Sequence, residues 1–197
     1  MAANPDLGET PLPGARQRVL DTAYDLFAQR GVHAVEIEEV IEHADVSMTE
    51  FQESFDSKDD LALAFLEQRE QTWTIDWLQS ESGRRGKTPE EQLLAIFDLF
   101  HEWFQRDDYE GCSFVNVLLE AGGASSRPLG RAAAHHLENI RSFISGLAEE
   151  AGLRDPEEFA AVYHMLMKGS IVHASEGNRT AARQARVAAR LLIDQYS

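Results

Sequence analysis

One cysteine, Cys112, stands in 197 residues, which excludes an intrachain disulfide framework and fits a reducing compartment. No apolar run approaches the roughly 20 residues needed to span a bilayer. The first residues also lack the basic stretch followed by an apolar one that marks an export signal. A cytoplasmic protein with no membrane contact is therefore expected. Pro5, Pro11 and Pro13, with Gly8, crowd the N-terminus, so residues 1–13 are expected to form a flexible arm. Bases are the most conspicuous shortage: 18 Lys and Arg against 34 Asp and Glu, a formal charge of −16. Proteins that hold nucleic acid ordinarily carry a basic stripe, and none is visible. A large negative charge by itself speaks only to solubility.

What is present is helical periodicity. Val19, Leu20, Ala23, Leu26 and Phe27 fall on one helix face, and Gly31 is placed to end that helix in the left-handed conformation. Ile37, Val40, Ile41 and Ala44 repeat the pattern over a shorter span. Ser47 to Glu50 and Ser57 to Asp60 each have the serine-to-acid spacing of a helix start. A long helix with Leu61, Phe65, Leu66, Trp73 and Trp77 is expected to run to about Glu81, followed by a loop at Gly83–Lys87. Pro89, Pro128 and Pro156 each suit the first position of a later helix. Gly111, Gly152 and Gly177 punctuate them. The reading is all-α, nine helices and no strand.

Signals of enzymatic chemistry fail one by one. Gly86-Lys87-Thr88 resembles the end of a phosphate loop, but position 81 is Glu where glycine is required, and no strand precedes it. His135, His136, His164 and His173 lack the spacing of a zinc-binding helix. Cys112 has no sequence-local partner to activate it and reads as a small buried thiol. No catalytic residue, metal or cofactor is expected.

Ala23, Phe27, Gly31, Ile37, Val40, Ala44, Val46, Ser47, Phe51, Phe55, Ser57, Lys58 and Leu61 carry a resemblance to the tetracycline-repressor (TetR) family. The run Phe55-Asp56-Ser57-Lys58-Asp59-Asp60-Leu61 is its most specific part. Gly111 to Asn116, with Glu120, resembles the C-terminal half of one subgroup. The resemblance spans nearly the whole chain. It implies a nine-helix architecture: a helix-turn-helix DNA-binding domain over 14–60 and an effector-binding and dimerisation domain over 61–197. It further implies a homodimeric regulator, a repressor of transcription that leaves its double-stranded DNA operator when a small apolar or amphipathic effector binds.

The departures fall where DNA would be gripped. Residues 36–60 hold ten acids and one base, Lys58, netting −9. Asp45 stands where the family usually has glycine between the two reader helices; Asp tolerates the left-handed turn better than most residues. Met48, Thr49, Glu50 and Gln52 occupy positions that commonly carry Lys or Arg, Gly, Thr and Tyr. The candidate DNA contacts are Arg16, Arg18, Ser47, Met48, Thr49, Gln52, Glu53 and Lys58. Of these, Glu53 is a candidate for accepting a hydrogen bond from cytosine, whereas Glu50 is explained as the capping partner of Ser47.

In the larger domain, Trp73, Trp77, Phe97, Phe100, Trp103, Phe104, Phe114 and Tyr163 are candidates to line an apolar cavity. Polar anchors would come from His101, Asn116, Glu120 and His164. Plain core packing is the competing explanation for any one of the aromatics. Phe159, Val162 and Leu166 on one helix, with Ala181, Ala185, Ala188, Ala189 and Leu192 on the next, are the candidate dimer stripes. A second function fits the same chain: a TetR-fold protein that no longer binds DNA in the usual way and serves as a ligand-binding or protein-interaction module. A basic surface formed by Arg16, Arg18, Arg30 and Lys58 would favour the first; a continuous negative surface across the recognition helix would favour the second.

Overall fold

The computed structural model describes residues 13–124 and 127–197, all helix and turn among those residues. Most of the expected N-terminal arm, residues 1–12, lies outside the described residues. Helix α1 (Ala15–Arg30) packs on α2 (Ile37–Ala44), on α3 (Met48–Ser54) and on the start of α4 (Lys58–Arg69). Val19, Ala23 and Phe27 of α1 are fully covered, and so are Val40, Phe51 and Phe55 opposite them. Phe27 and Tyr24 both meet the edge of Phe65, with ring centroids 5.6 Å apart in each pair. The small three-helix core therefore closes only with the first two turns of α4, beyond residue 60.

The rod that begins as α4 does not stop at Glu81. It continues through a π-helical stretch, Glu70–Gln79, into α5 (Ser80–Arg85). The loop expected from Gly83 and Gly86 is thus helical as far as Arg85. Arg84 grips Glu81 one turn back (2.6 Å), and Arg85 donates both guanidinium nitrogens to Glu102 across the turn (2.7 and 2.8 Å). These contacts hold a last turn that glycine at 83 would otherwise loosen. Lys87-Thr88 is then the entry to α6 (Pro89–Phe104): Thr88 Oγ1 accepts from the Glu91 N–H (3.3 Å) and the Lys87 N–H reaches the Glu91 carboxylate (2.7 Å). Counted as rods, α4 to α5 is one, and the nine expected helices are all found among the described residues.

The body comprises α6, α7 (Ser113–Glu120), α8 (Pro128–Glu150), α9 (Pro156–Ser175) and α10 (Ala181–Tyr196). Helix α9 is sandwiched between α8 and α10, and α10 also packs on α6. Phe97, Phe100, Phe104, Phe114, Phe159 and Tyr163 are the largest wholly buried side chains of this layer. The Tyr163 hydroxyl donates to the Leu93 carbonyl, which satisfies the polar end of an otherwise apolar residue.

Candidate DNA reader and interdomain cleft

The reader is set by its turns. Asp45 adopts the left-handed conformation (φ 50°, ψ 55°) that ends α2, so the turn survives without glycine. Gly31 ends α1 at φ 83°, ψ 156°, a positive-φ extended geometry that is essentially glycine's alone, rather than the left-handed helical one expected. A side chain there would also run into the Glu120 carboxylate of α7. Ser47 and Glu50 form the full capping box: Ser47 Oγ accepts from the Glu50 N–H (3.2 Å) and Glu50 Oε2 accepts from the Ser47 N–H (2.8 Å). Those hydrogen bonds to Ser47, backbone first and side chain second, hold the Glu50 carboxyl below its ordinary value.

Of the eight candidate DNA contacts, Met48, Thr49, Gln52 and Glu53 are exposed on α3. Their outward face is almost uncharged, with Glu53 its single full carboxylate; the acids gather instead on α2 and around Asp56–Asp60. The cations are not gathered into a basic surface. Arg18 clamps the reader turn, donating to the carbonyls of Ala44 (3.1 Å), Asp45 (3.3 Å) and Pro13 (2.8 Å). Arg16 lies over the Phe55 ring, 4.8 Å from its centroid. Arg30 pairs with Glu39, and Lys58 Nζ reaches the His33 carbonyl (3.4 Å).

The expected aromatic cavity divides in two. Phe97, Phe100, Phe104, Phe114 and Tyr163 are solid core, and His164 is buried with them; burial first, then Lys168 and Arg141, push its pKa down to about 4. Trp73 and Trp77, by contrast, line a cleft of ≈ 550 Å³ between α1 and the body, within the range of about 300–1,000 Å³ usual for small-molecule sites. Trp103 joins them, its ring 5.4 Å from Trp73 and 6.0 Å from Trp77. The opposite wall is α1 itself, through Tyr24, Asp25, Ala28 and Gln29.

Of the expected anchors, none lines this cleft. His101 is half-buried beside Gln105, and Asn116 is exposed. Glu120 is exposed at the other junction of reader and body, where its carboxylate accepts from the His33 N–H (3.0 Å). The i, i+4 spacing of Asn116 and Glu120 did place them on related faces, but that side of α7 turns away from the aromatics.

The polar residues that do line the cleft were not foreseen. Arg69 is buried, donates to the Tyr24 hydroxyl (2.9 Å) and pairs with Glu110 (2.5 Å). Burial opposes its charge, but Tyr24 and Glu110 outweigh burial and hold the guanidinium above its ordinary pKa. Tyr24 in turn shares a hydrogen bond with Thr72 (2.9 Å), tying α1 to the π-helical stretch. That stretch is pinned from behind by Glu70, which accepts from Asn139 (2.6 Å) and meets His136 Nδ1 (2.7 Å). A signal for Arg69 existed: it sits four residues after Phe65 and four before Trp73, on the apolar stripe of the rod, where an unpaired charge would be costly. Departures from α-helical geometry are frequent at functional sites, but nothing in Glu70–Gln79 announces one.

The candidate dimer stripes divide by burial. Phe159, Ala181 and Ala189 are buried within the subunit, and Val162, Leu166, Ala185, Ala188 and Leu192 are partly covered. The apolar residues left in the open on the same helices are Met165 (60 %), Val172 (51 %), Val187 (65 %) and Leu191 (65 %). The sequence stripe was strongest on the side facing the core, because core packing selects for a continuous apolar face.

Comparison with known proteins agrees with this architecture. Residues 19–65 match the family model "Bacterial regulatory proteins, tetR family". No curated protein matches the chain. Among solved structures, a TetR-family transcriptional regulator from Streptomyces coelicolor superposes with a TM-score of 0.86 at 22% identity, covering 95% of this chain and 92% of that one. A putative TetR transcriptional regulator from Streptomyces avermitilis gives 0.83 at 24% identity, covering 93% and 98%. Reduced NemR of Escherichia coli gives 0.77 at 20% identity, covering 90% and 97%. The reader thus matches the TetR-family model over residues 19–65, and the whole chain shares the fold of solved TetR-family regulators.

Proposed function

We propose that the protein is a homodimeric transcriptional repressor that reads double-stranded DNA with α3 and leaves its operator when a small amphipathic effector occupies the cleft against α1. The observation that supports it is the outward face of α3: Met48, Thr49, Gln52 and Glu53 are exposed beside a capped, correctly turned helix start. In this reading residues 14–60, with the first turns of α4, act as the DNA-binding domain, and 61–197 bind the effector and dimerise. Two readers would enter successive major-groove half-sites, and the dimer would close through the exposed Met165, Val172, Val187 and Leu191. The expected location is the cytoplasm; no helix of the described residues is long and apolar enough to cross a membrane.

A second reading has its own observation. Arg16, Arg18, Arg30 and Lys58 all have partners within the chain, which favours a protein that has lost ordinary phosphate contact and acts as a ligand-binding or interaction module. A low-salt titration against genomic fragments from the source organism, repeated at higher salt, separates the two. The repressor gives saturable, sequence-selective retention with a shallow salt slope, since each phosphate neutralised adds about 0.9 to that slope. Lys58→Ala then weakens retention on all sequences, while Glu53→Gln changes the preferred sequence. No retention by folded dimer supports the module.

A further inference from the structure

All three tryptophans of the chain, Trp73, Trp77 and Trp103, line one cleft, each ring within 6.0 Å of the other two. Trp77 is only half-buried, so aromatic surface faces the opening. Charge decides what suits such a box. Both guanidiniums in the lining are already neutralised, Arg69 by Glu110 (2.5 Å) and Arg106 by Asp108 (2.6 Å). Glu102 is shared with Arg85 outside the cleft. Asp25 of α1 is exposed, has no ion-pair partner among the described residues and lines the same cleft as the tryptophans. The residual charge is negative, and the ring faces carry negative quadrupole potential of the same sense. An anion would be repelled by both, and a neutral aromatic would gain nothing from Asp25. A flat cation satisfies rings and carboxylate together.

We propose that this cleft binds a planar organic cation, stacked on the tryptophans with its charge toward Asp25. The inference rests on the cleft being the effector site. It adds a chemical class and a lever, because one wall is reader helix α1 and the other is body. An occupant touches both, next to the Tyr24–Thr72 and Tyr24–Arg69 hydrogen bonds that join them.

The test uses the full-length protein without DNA, since planar cations also intercalate. N-methylacridinium and acridine have nearly the same shape, and at pH 8 only the first is charged. Quenching of the tryptophan emission reports occupancy directly. N-methylacridinium is expected to bind about tenfold tighter than acridine. Asp25→Asn should remove most of that preference, whereas Asp194→Asn, an equal change of charge on exposed α10, should leave it in place. Trp77→Leu should weaken N-methylacridinium about tenfold, in a protein whose thermal unfolding is checked to be native-like. Equal affinity for both probes, tighter binding of acridine, no quenching by either, or equal loss from Asp25→Asn and Asp194→Asn overturns the proposal. The DNA titration is independent of all these: cation binding with no DNA retention would keep the site and discard the repressor, and the reverse would discard only the site.

Discussion

The reader edge and the interdomain cleft handle arginine in the same way with opposite consequences. In both, guanidiniums are matched to partners within the chain: Arg30 to Glu39 and Arg18 to turn carbonyls in the reader, Arg69 to Glu110 and Tyr24 in the cleft. At the reader edge this happens in water; the side chains of Arg30 and Glu39 are 45 % and 28 % exposed, so their attraction is screened and worth little. In the cleft the Arg69 and Glu110 side chains are 7 % and 15 % exposed, and removing either partner strands a charge away from solvent. One pairing ties up a reader cation without adding much stability; the other fixes Arg69, whose hydrogen bond to Tyr24 joins α1 to the body.

The largest effect expected from breaking this contrast is therefore in the cleft. Glu110→Gln should destabilise the protein by about 3–5 kcal/mol, the usual cost of orphaning one member of a buried pair. Arg106→Ala, which breaks an exposed pair with Asp108, should cost at most about 1 kcal/mol. Urea unfolding of the three proteins at one concentration checks the difference. Comparable losses would mean that water reaches Arg69 as freely as Arg106.

Next in size is a pH effect carried by His164. Its folded pKa of about 4 lies below the ordinary 6.5 because burial, Lys168 and Arg141 disfavour the imidazolium. Between those values the unfolded chain takes a proton that the folded one refuses, so stability falls as pH drops from 6.5 toward 4. The loss is of order 3 kcal/mol when the window has been crossed. His164→Leu should flatten that part of the stability profile relative to the parent, whatever its effect at neutral pH. An unchanged slope would place the titrating group elsewhere.

These two groups also show what the sequence made legible. Periodicity and helix-start chemistry located the rods, the capping box at Ser47 and the left-handed turn at Asp45, because each depends on residues within a few positions. Arg69 and Glu110 are 41 positions apart and Tyr24 lies 45 before Arg69; no local pattern pairs them. The same limit moved the pocket. Trp73, Phe100 and Phe114 look alike on a helical wheel, and only the packing of helices distant in sequence leaves Trp77 half-buried at an opening while Phe100 is wholly covered. In α9 and α10, periodicity marked the face that packs on the core and left out the exposed Met165, Val172, Val187 and Leu191. Glu120 had the right chemistry for an anchor but belongs to the His33 junction, 87 positions away.

Smaller effects sharpen the comparison from the reader's side. Ser47→Ala removes the hydroxyl that accepts from the Glu50 N–H and donates to Glu50 Oε2, leaving the Ser47 N–H half of the box in place, and should cost about 1 kcal/mol, at the middle of the range for such caps. The Ser47 N–H first and the Ser47 hydroxyl second hold the Glu50 carboxyl below its ordinary pKa; the variant keeps the first and loses the second, so the hydroxyl's share of the parent's advantage is fully present above the ordinary carboxylate value. That share fades as pH falls through the depressed one, so the gap between the two stability profiles should narrow in acid, leaving the part due to the Glu50 N–H cap.

Glu39→Gln has the smallest expected stability change, under about 1 kcal/mol, because the Arg30 pair is exposed. Its effect on function should be larger. The substitution releases Arg30 and removes one of the acids crowding α2, so a reader that touches DNA gains a cation available for phosphate. Affinity in the low-salt titration should rise, and the slope of log affinity against log salt should steepen by up to about 0.9 if Arg30 reaches one phosphate. An increase in affinity with no change of slope would mean that relief of repulsion, rather than a new contact, is responsible. No change in either would show that this edge of the reader stands away from the duplex, and that the acids of α2 are a solvated face with no part in recognition.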